Sequence, residues 1–139
     1  MEISPEADSM TMSGRVCGLP VSAQLSGEDI HRVYYYSIYP NMLLSLHSDY
    51  AMVHMIQPQA PDRSLVICEW FFHPDSFGTP GFDPGDAVEF WDLTNRQDWH
   101  ICELSQAGIS SRAYQPSPYA PREGLLAAWD RAYLKALGE

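Results

Sequence analysis

The sequence predicts an α+β protein in which an antiparallel sheet packs on one long helix and a second helix closes the chain. Three observations predict it. Between Val33 and His73 the residues are rich in strand formers, interrupted only by short turn signals. From Asp83 to Gly108 apolar residues return at helical spacing. From Pro121 to Gly138 they do so again, as a narrow stripe. Strands followed by helices, rather than alternating with them, place both helices against one face of the sheet.

Residues 1–19 carry no clear periodicity and are expected to be loose or peripheral, leaving 20–139 as the single domain. In LSGEDI, Ser26 is a cap for a segment too short to hold as a stable helix. Val33 to Tyr39 (VYYYSIY) reads as a first strand, ended by Pro40-Asn41. Met42 to Leu46 and Tyr50 to Gln57 read as two more, with a turn at Ser48-Asp49. After a second turn at PQAPDR, Ser64 to His73 is a long fourth strand. Short turns between successive strands favour an antiparallel meander. Residues 74–84 are a loop rich in Pro and Gly.

The long helix is expected to start with Asp83 as cap and Pro84 at the first helical position, and to end at Gly108 in the left-handed conformation. Its expected apolar arc holds Ala87, Val88, Trp91, Ile101, Cys102 and Leu104, flanked by Phe90, Leu93 and Trp99. Arg96, His100, Glu103 and Gln106 fall on the opposite side. Asp98 lies near the centre of the arc. A carboxylate facing a core is costly unless a cation, a donor network or a metal answers it. A structural aspartate bonded by backbone or arginine and a metal-ligating or acid–base carboxylate both fit that position. After an irregular stretch, a last helix opens at Pro121, carries Leu125, Leu126, Trp129, Ala132, Tyr133, Ala136 and Leu137 on one stripe, and stops at Gly138.

At 139 residues the chain holds one small domain, and its 45% hydrophobic content is that of a packed protein. A formal charge of −10 argues against nucleic acid and anionic membranes as partners. Cys17, Cys68 and Cys102 are odd in number and contain no CxxC pair, which suggests reduced thiols. The acidic N-terminus lacks a signal-type apolar run, and no segment is long and apolar enough to span a bilayer, so the chain reads as soluble and cytoplasmic. Five histidines invite a metal reading. For His47, His54, His73 and His100, exposed or hydrogen-bonded rings are the better expectation, because none sits at ligand spacing from another. No Ser/His/Asp order, phosphate loop or HExxH element is visible.

Four runs carry a resemblance: YSIYPNMLLSLHSDYAMVHMIQP, EWFFHP, FWDLTNRQDWHICELSQAGISSRAY and PYAPREGLLAAWDRAYL. In that order they resemble the end of the catalytic domain of Rieske non-haem iron oxygenase α subunits, the aromatic-ring-hydroxylating oxygenases. The resemblance implies a partial helix-grip, START-like fold with a hydrophobic pocket, for which Tyr34, Tyr36, Trp91, Thr94 and Ile101 are candidate lining residues. It implies iron(II) held by two histidines and one aspartate, the aspartate falling on Asp98 in NRQDWHICE. The family's histidine pair and the cysteine–histidine motifs of its [2Fe-2S] cluster have no counterpart in this sequence.

Two functions are therefore expected. One is the C-terminal portion of an oxygenase that hydroxylates an aromatic or similar small organic substrate with dioxygen, inactive alone and dependent on an upstream half. The other is a non-catalytic module that binds a small hydrophobic or aromatic ligand. An uncovered sheet edge and pocket face would favour a homo-oligomer or association with that upstream half.

Overall fold

A computed structural model describes residues 1–139. Four strands, β1 (Tyr34–Ile38), β2 (Met42–Leu46), β3 (Tyr50–Ala60) and β4 (Arg63–Phe72), form one antiparallel sheet in chain order. Helices α1 (Gly85–Ile109) and α2 (Gly124–Leu137) follow. The α+β class and the meander agree with the sequence. β3 runs three residues past the expected Gln57, through Pro58, to a turn at Pro61-Asp62. Pro58 is tolerated because β2 pairs only with residues 51–55 of β3; beyond them β3 has only β4 beside it, and a register shift at Pro58/Ala60 absorbs the missing donor.

The registers fix which side chains share a face. Ser45 opposes Met52, and Met52 opposes Trp70, so with Tyr50, His54, Cys68 and Phe72 they line the face that α1 covers. Tyr35 opposes Ser45 and belongs to this face. Tyr34 and Tyr36 point the other way and are exposed. The sequence shows the alternation of YYY but not its parity, and the register sets Tyr34 and Tyr36, expected as pocket-lining residues, on the face away from α1.

α1 begins two residues after Asp83, whose carboxylate accepts from the Gly85 amide at 2.9 Å. It does not end in a left-handed Gly108. That glycine is inside the helix, which runs to Ile109 and closes at Ser110 with ordinary negative φ. Ala87, Trp91 and Asn95, successive at i+4, are its buried residues. The rest of the expected arc is not: Leu93, Trp99, Ile101, Cys102 and Leu104 are exposed. The helix has 25 residues and outruns its packing at the midpoint, because nothing in this chain lies over its second half.

α2 starts at Gly124 rather than Pro121, and Glu123 folds back to accept from the Ala120 amide at 2.5 Å. Gly138, at φ 86°, ends it as expected. The helix buries none of its residues, so it does not lie on the sheet face with α1. Its contact is Trp129, which donates to the Pro40 carbonyl at 3.3 Å and packs on Tyr39.

Residues 1–19, expected to be loose, are strapped to the domain. Glu2 bridges to Arg32, and the Val33 amide donates to the Met1 carbonyl. Ser9 and Thr11 are buried. Met12 and Ser13 hold the first turn of α1 through the backbone and side chain of Asp86. These are backbone and short-hydroxyl contacts, which leave no periodic signature in a sequence.

Candidate functional site

The buried centre is a corner where strap, β2–β3 turn and α1 meet. Tyr50, Met52, Ala87 and Trp91 form it, with Met10, Cys17, Cys68, Trp70, Phe72 and Phe90 packed around them. Trp91 Nε1 donates to the Tyr50 hydroxyl at 2.7 Å, and that hydroxyl donates to the Met10 carbonyl at 2.7 Å. Donating onward in this way satisfies both polar tips of two large aromatics. Burial and the nearby Asp49 carboxylate push the Tyr50 phenol up, so it stays neutral.

Asp49 is the buried carboxylate of this protein. Its Oδ1 accepts from Ser9 Oγ at 2.7 Å, and its Oδ2 from the Cys17 amide at 2.8 Å and the Cys17 thiol at 3.4 Å. A donor network rather than a cation answers the charge. Burial first, and the Asp49 charge second, push the Cys17 thiol up to about 12, so it is an inert donor and not a nucleophile.

His47 is 2% exposed, and neither ring nitrogen has a hydrogen-bond partner. It stacks on Tyr50 at 4.1 Å between centroids and meets the edge of Trp91 at 5.7 Å. Burial lowers its pKa to about 4, so the ring is neutral near pH 7. This corrects the expectation of an exposed or bonded ring: the site is aromatic on two sides, and stacking replaces hydrogen bonding. The remaining histidines follow expectation. His54 Nε2 lies 3.1 Å from Asn95 Oδ1, His73 Nδ1 accepts from the Asp75 amide, and His100 is exposed.

The residues singled out from sequence are not brought together. Trp91 is in the core. Thr94 is half-buried with its hydroxyl donated to the Phe90 carbonyl at 2.9 Å. Ile101 is 60% exposed, and Asp98 is exposed as well. The arc that placed Asp98 toward a core is real as a pattern, but within this chain its second half has nothing to face. Asp98 follows Asn95, the last residue of α1 anchored to the sheet, which also donates to Cys68 Sγ at 3.6 Å. Asp49 reads from sequence only as a turn residue and His47 only as an exposed or bonded ring, because a polar His-Ser-Asp run between strands has the composition of an exposed turn.

No group of three or more His, Cys, Asp or Glu side chains converges anywhere in the structure. A two-histidine, one-carboxylate iron centre does not fit the donors present: the carboxylate is available, the imidazole pair is not. No helix is long and apolar enough to cross a membrane.

An α+β domain with a four-stranded antiparallel sheet, a long helix docked on one face and exposed apolar surface on that helix is the class that fold and site define. Comparison with known proteins agrees with it. The description "Ring hydroxylating alpha subunit (catalytic domain)" matches residues 1–139. The chain is 34% identical over 112 residues to the glycine betaine monooxygenase oxygenase subunit of Chromohalobacter salexigens, covering 81% of this chain and 25% of that protein. A Pseudomonas aeruginosa protein of the same name is 30% identical over 112 residues, covering 81% and 26%. The chloroplastic choline monooxygenase of Arabidopsis thaliana is 26% identical over 86 residues, covering 62% and 20%. The chain belongs to the family of Rieske-type ring-hydroxylating oxygenase α subunits, in its catalytic domain. It spans about a quarter of the length of the curated oxygenase subunits it matches.

Proposed function

We propose that this chain forms the carboxylate-bearing part of the catalytic domain of a Rieske-type monooxygenase, completed by an upstream oxygenase half. Asp98 is the residue assigned to the iron(II) ligand set; the two histidines and the [2Fe-2S] cluster belong to the other half. The observation that carries this reading is the full-length family match combined with the placement of Asp98, exposed on the uncovered half of α1. A second set of donors could approach it there. Leu93, Ile101 and Leu104 on α1, and Leu125 and Leu126 on α2, are exposed apolar surface that such a half, or further copies of the chain, would cover.

The substrate proposed is a small quaternary ammonium compound. Three relatives are named for glycine betaine or choline, and a formal charge of −10 attracts a cation. An aromatic substrate, implied by the resemblance alone, is the competing arm of the test. Three unpaired cysteines suit a reducing compartment, and we place the protein in the cytoplasm.

The test is iron analysis after dialysis against a chelator. The chain alone is expected to retain none, and the chain with an upstream oxygenase half supplied in trans is expected to retain about one iron per chain. Asp98→Ala should abolish that retention while leaving the stability of the lone chain within about 0.5 kcal/mol, as for other exposed positions. Iron held stoichiometrically by the lone chain, or retained by the reconstituted Asp98→Ala protein, would refute the assignment. Oxygen consumption dependent on quaternary ammonium compounds supports the substrate class; consumption dependent only on aromatic compounds overturns it.

A further inference from the structure

The orphaned ring of His47 sits where the N-terminal strap, the β2–β3 turn and α1 converge, and none of the oxygenase chemistry calls on it. We propose that His47 is an acid-sensitive latch: protonation of its buried ring opens this corner and releases strap residues 8–19 from the sheet and helix. The device is independent of iron and of the oxygenase reading.

Geometry makes the corner vulnerable. A neutral imidazole is tolerated in an aromatic slot between Tyr50 and Trp91. An imidazolium has two donors to satisfy, and neither nitrogen has an acceptor in reach. The titratable groups around it are few. On its own turn are Asp49, whose carboxylate is already engaged by Ser9 and Cys17, and Tyr50, held neutral. On the strap is the Cys17 thiol, also neutral. From α1 comes Asp86, bonded to Ser13, and from β3 comes His54, bonded to Asn95 and edge-on to Trp91. The one carboxylate close in sequence is Asp49. Turning it toward a charged His47 would take the acceptor from the strap, so relief by hydration and relief by Asp49 both unfasten the same contacts.

The sign follows from linkage. The ring binds its proton at about pH 4 in the closed corner and at about 6.5 when open. The closed state is therefore fully favoured above pH 6.5, loses ground as pH falls from 6.5 to 4, and loses little more below that. Between pH 7.5 and pH 5 the opening equilibrium should shift by about 30-fold toward release.

Amide hydrogen exchange, corrected for the intrinsic pH dependence, tests this on the whole chain. The Cys17 and Leu19 amides, which donate to Asp49 and Ser76, should lose protection by about 30-fold at pH 5 while amides in the middle of β3 keep theirs. His47→Phe, which fills the slot and cannot charge, should remove the pH dependence. Asp49→Asn should keep it. Unchanged pH dependence in His47→Phe, its loss in Asp49→Asn, or simultaneous loss of protection across β3 would each overturn the latch. Should the phenylalanine variant misfold, the ring signals of His47 in the unmodified protein decide the matter: titration near the ordinary value of about 6.5 overturns the proposal, and titration well below it supports the proposal.

Discussion

Trp91→Ala should undock α1 from the sheet. Trp91 is the largest side chain that the helix buries, and its indole N–H holds the Tyr50 hydroxyl at 2.7 Å. Its ring also packs on His47, His54 and Phe90. Truncating such a residue costs about 3–5 kcal/mol through lost burial and the cavity left behind. Thirteen of 139 residues are buried, so little other packing is available to compensate. A domain with roughly 5–15 kcal/mol of total stability then loses about a fifth of it or more. Urea unfolding followed by circular dichroism should show a lower midpoint and helical signal lost before the sheet signal. Trp91→Phe keeps a buried six-membered ring but drops the donor and part of the indole's volume, so it should cost less than alanine does, about 1–2 kcal/mol. Equal losses from the two variants would mean that the hydrogen bond, not the packing, holds the helix.

Asp49→Ala should free the N-terminal strap at a cost of about 3 kcal/mol. The substitution leaves the Ser9 hydroxyl and the Cys17 amide without their acceptor in a buried corner, and hydrogen bonds to a charged group contribute about 1.5–3 kcal/mol each. Asp49→Asn retains one acceptor and should cost roughly half as much. The distinguishing readout is where the loss occurs. Protease accessibility at Arg15, on the strap between Ser13, held by Asp86, and Cys17, held by Asp49, should rise well before the β3–β4 hairpin opens. A variant as resistant at Arg15 as the parent would show that Met12, Ser13 and their bonds to Asp86 suffice to hold the strap.

The two substitutions mark what packs the core and what closes it, and they separate what was readable in the sequence from what was not. Trp91 was readable: an aromatic at i+4 from Ala87, after a capped helix start, belongs on the buried face. Asp49 was not. A core-facing carboxylate must be answered, and the helical period places Asp98 on an apolar arc, yet Asp98 is exposed. The buried, answered carboxylate is Asp49, where a strap forty residues upstream in sequence supplies a donor.

By itself the sequence determined the class, the four strands in meander order, the two helices and the family. Each depends on local signals: β-branched and aromatic runs, turn residues, a helical period, a motif string. Only the tertiary structure decided which face of β1 turns inward, how far along α1 the packing extends, and that α2 leans on Tyr39 and Pro40 rather than on the sheet. It alone decided that residues 1–19 seal the corner around His47 and Asp49. Strand parity depends on register with the neighbouring strand, and burial depends on what lies opposite. Neither is a property of a stretch of chain, because both are set by contacts between residues far apart in it.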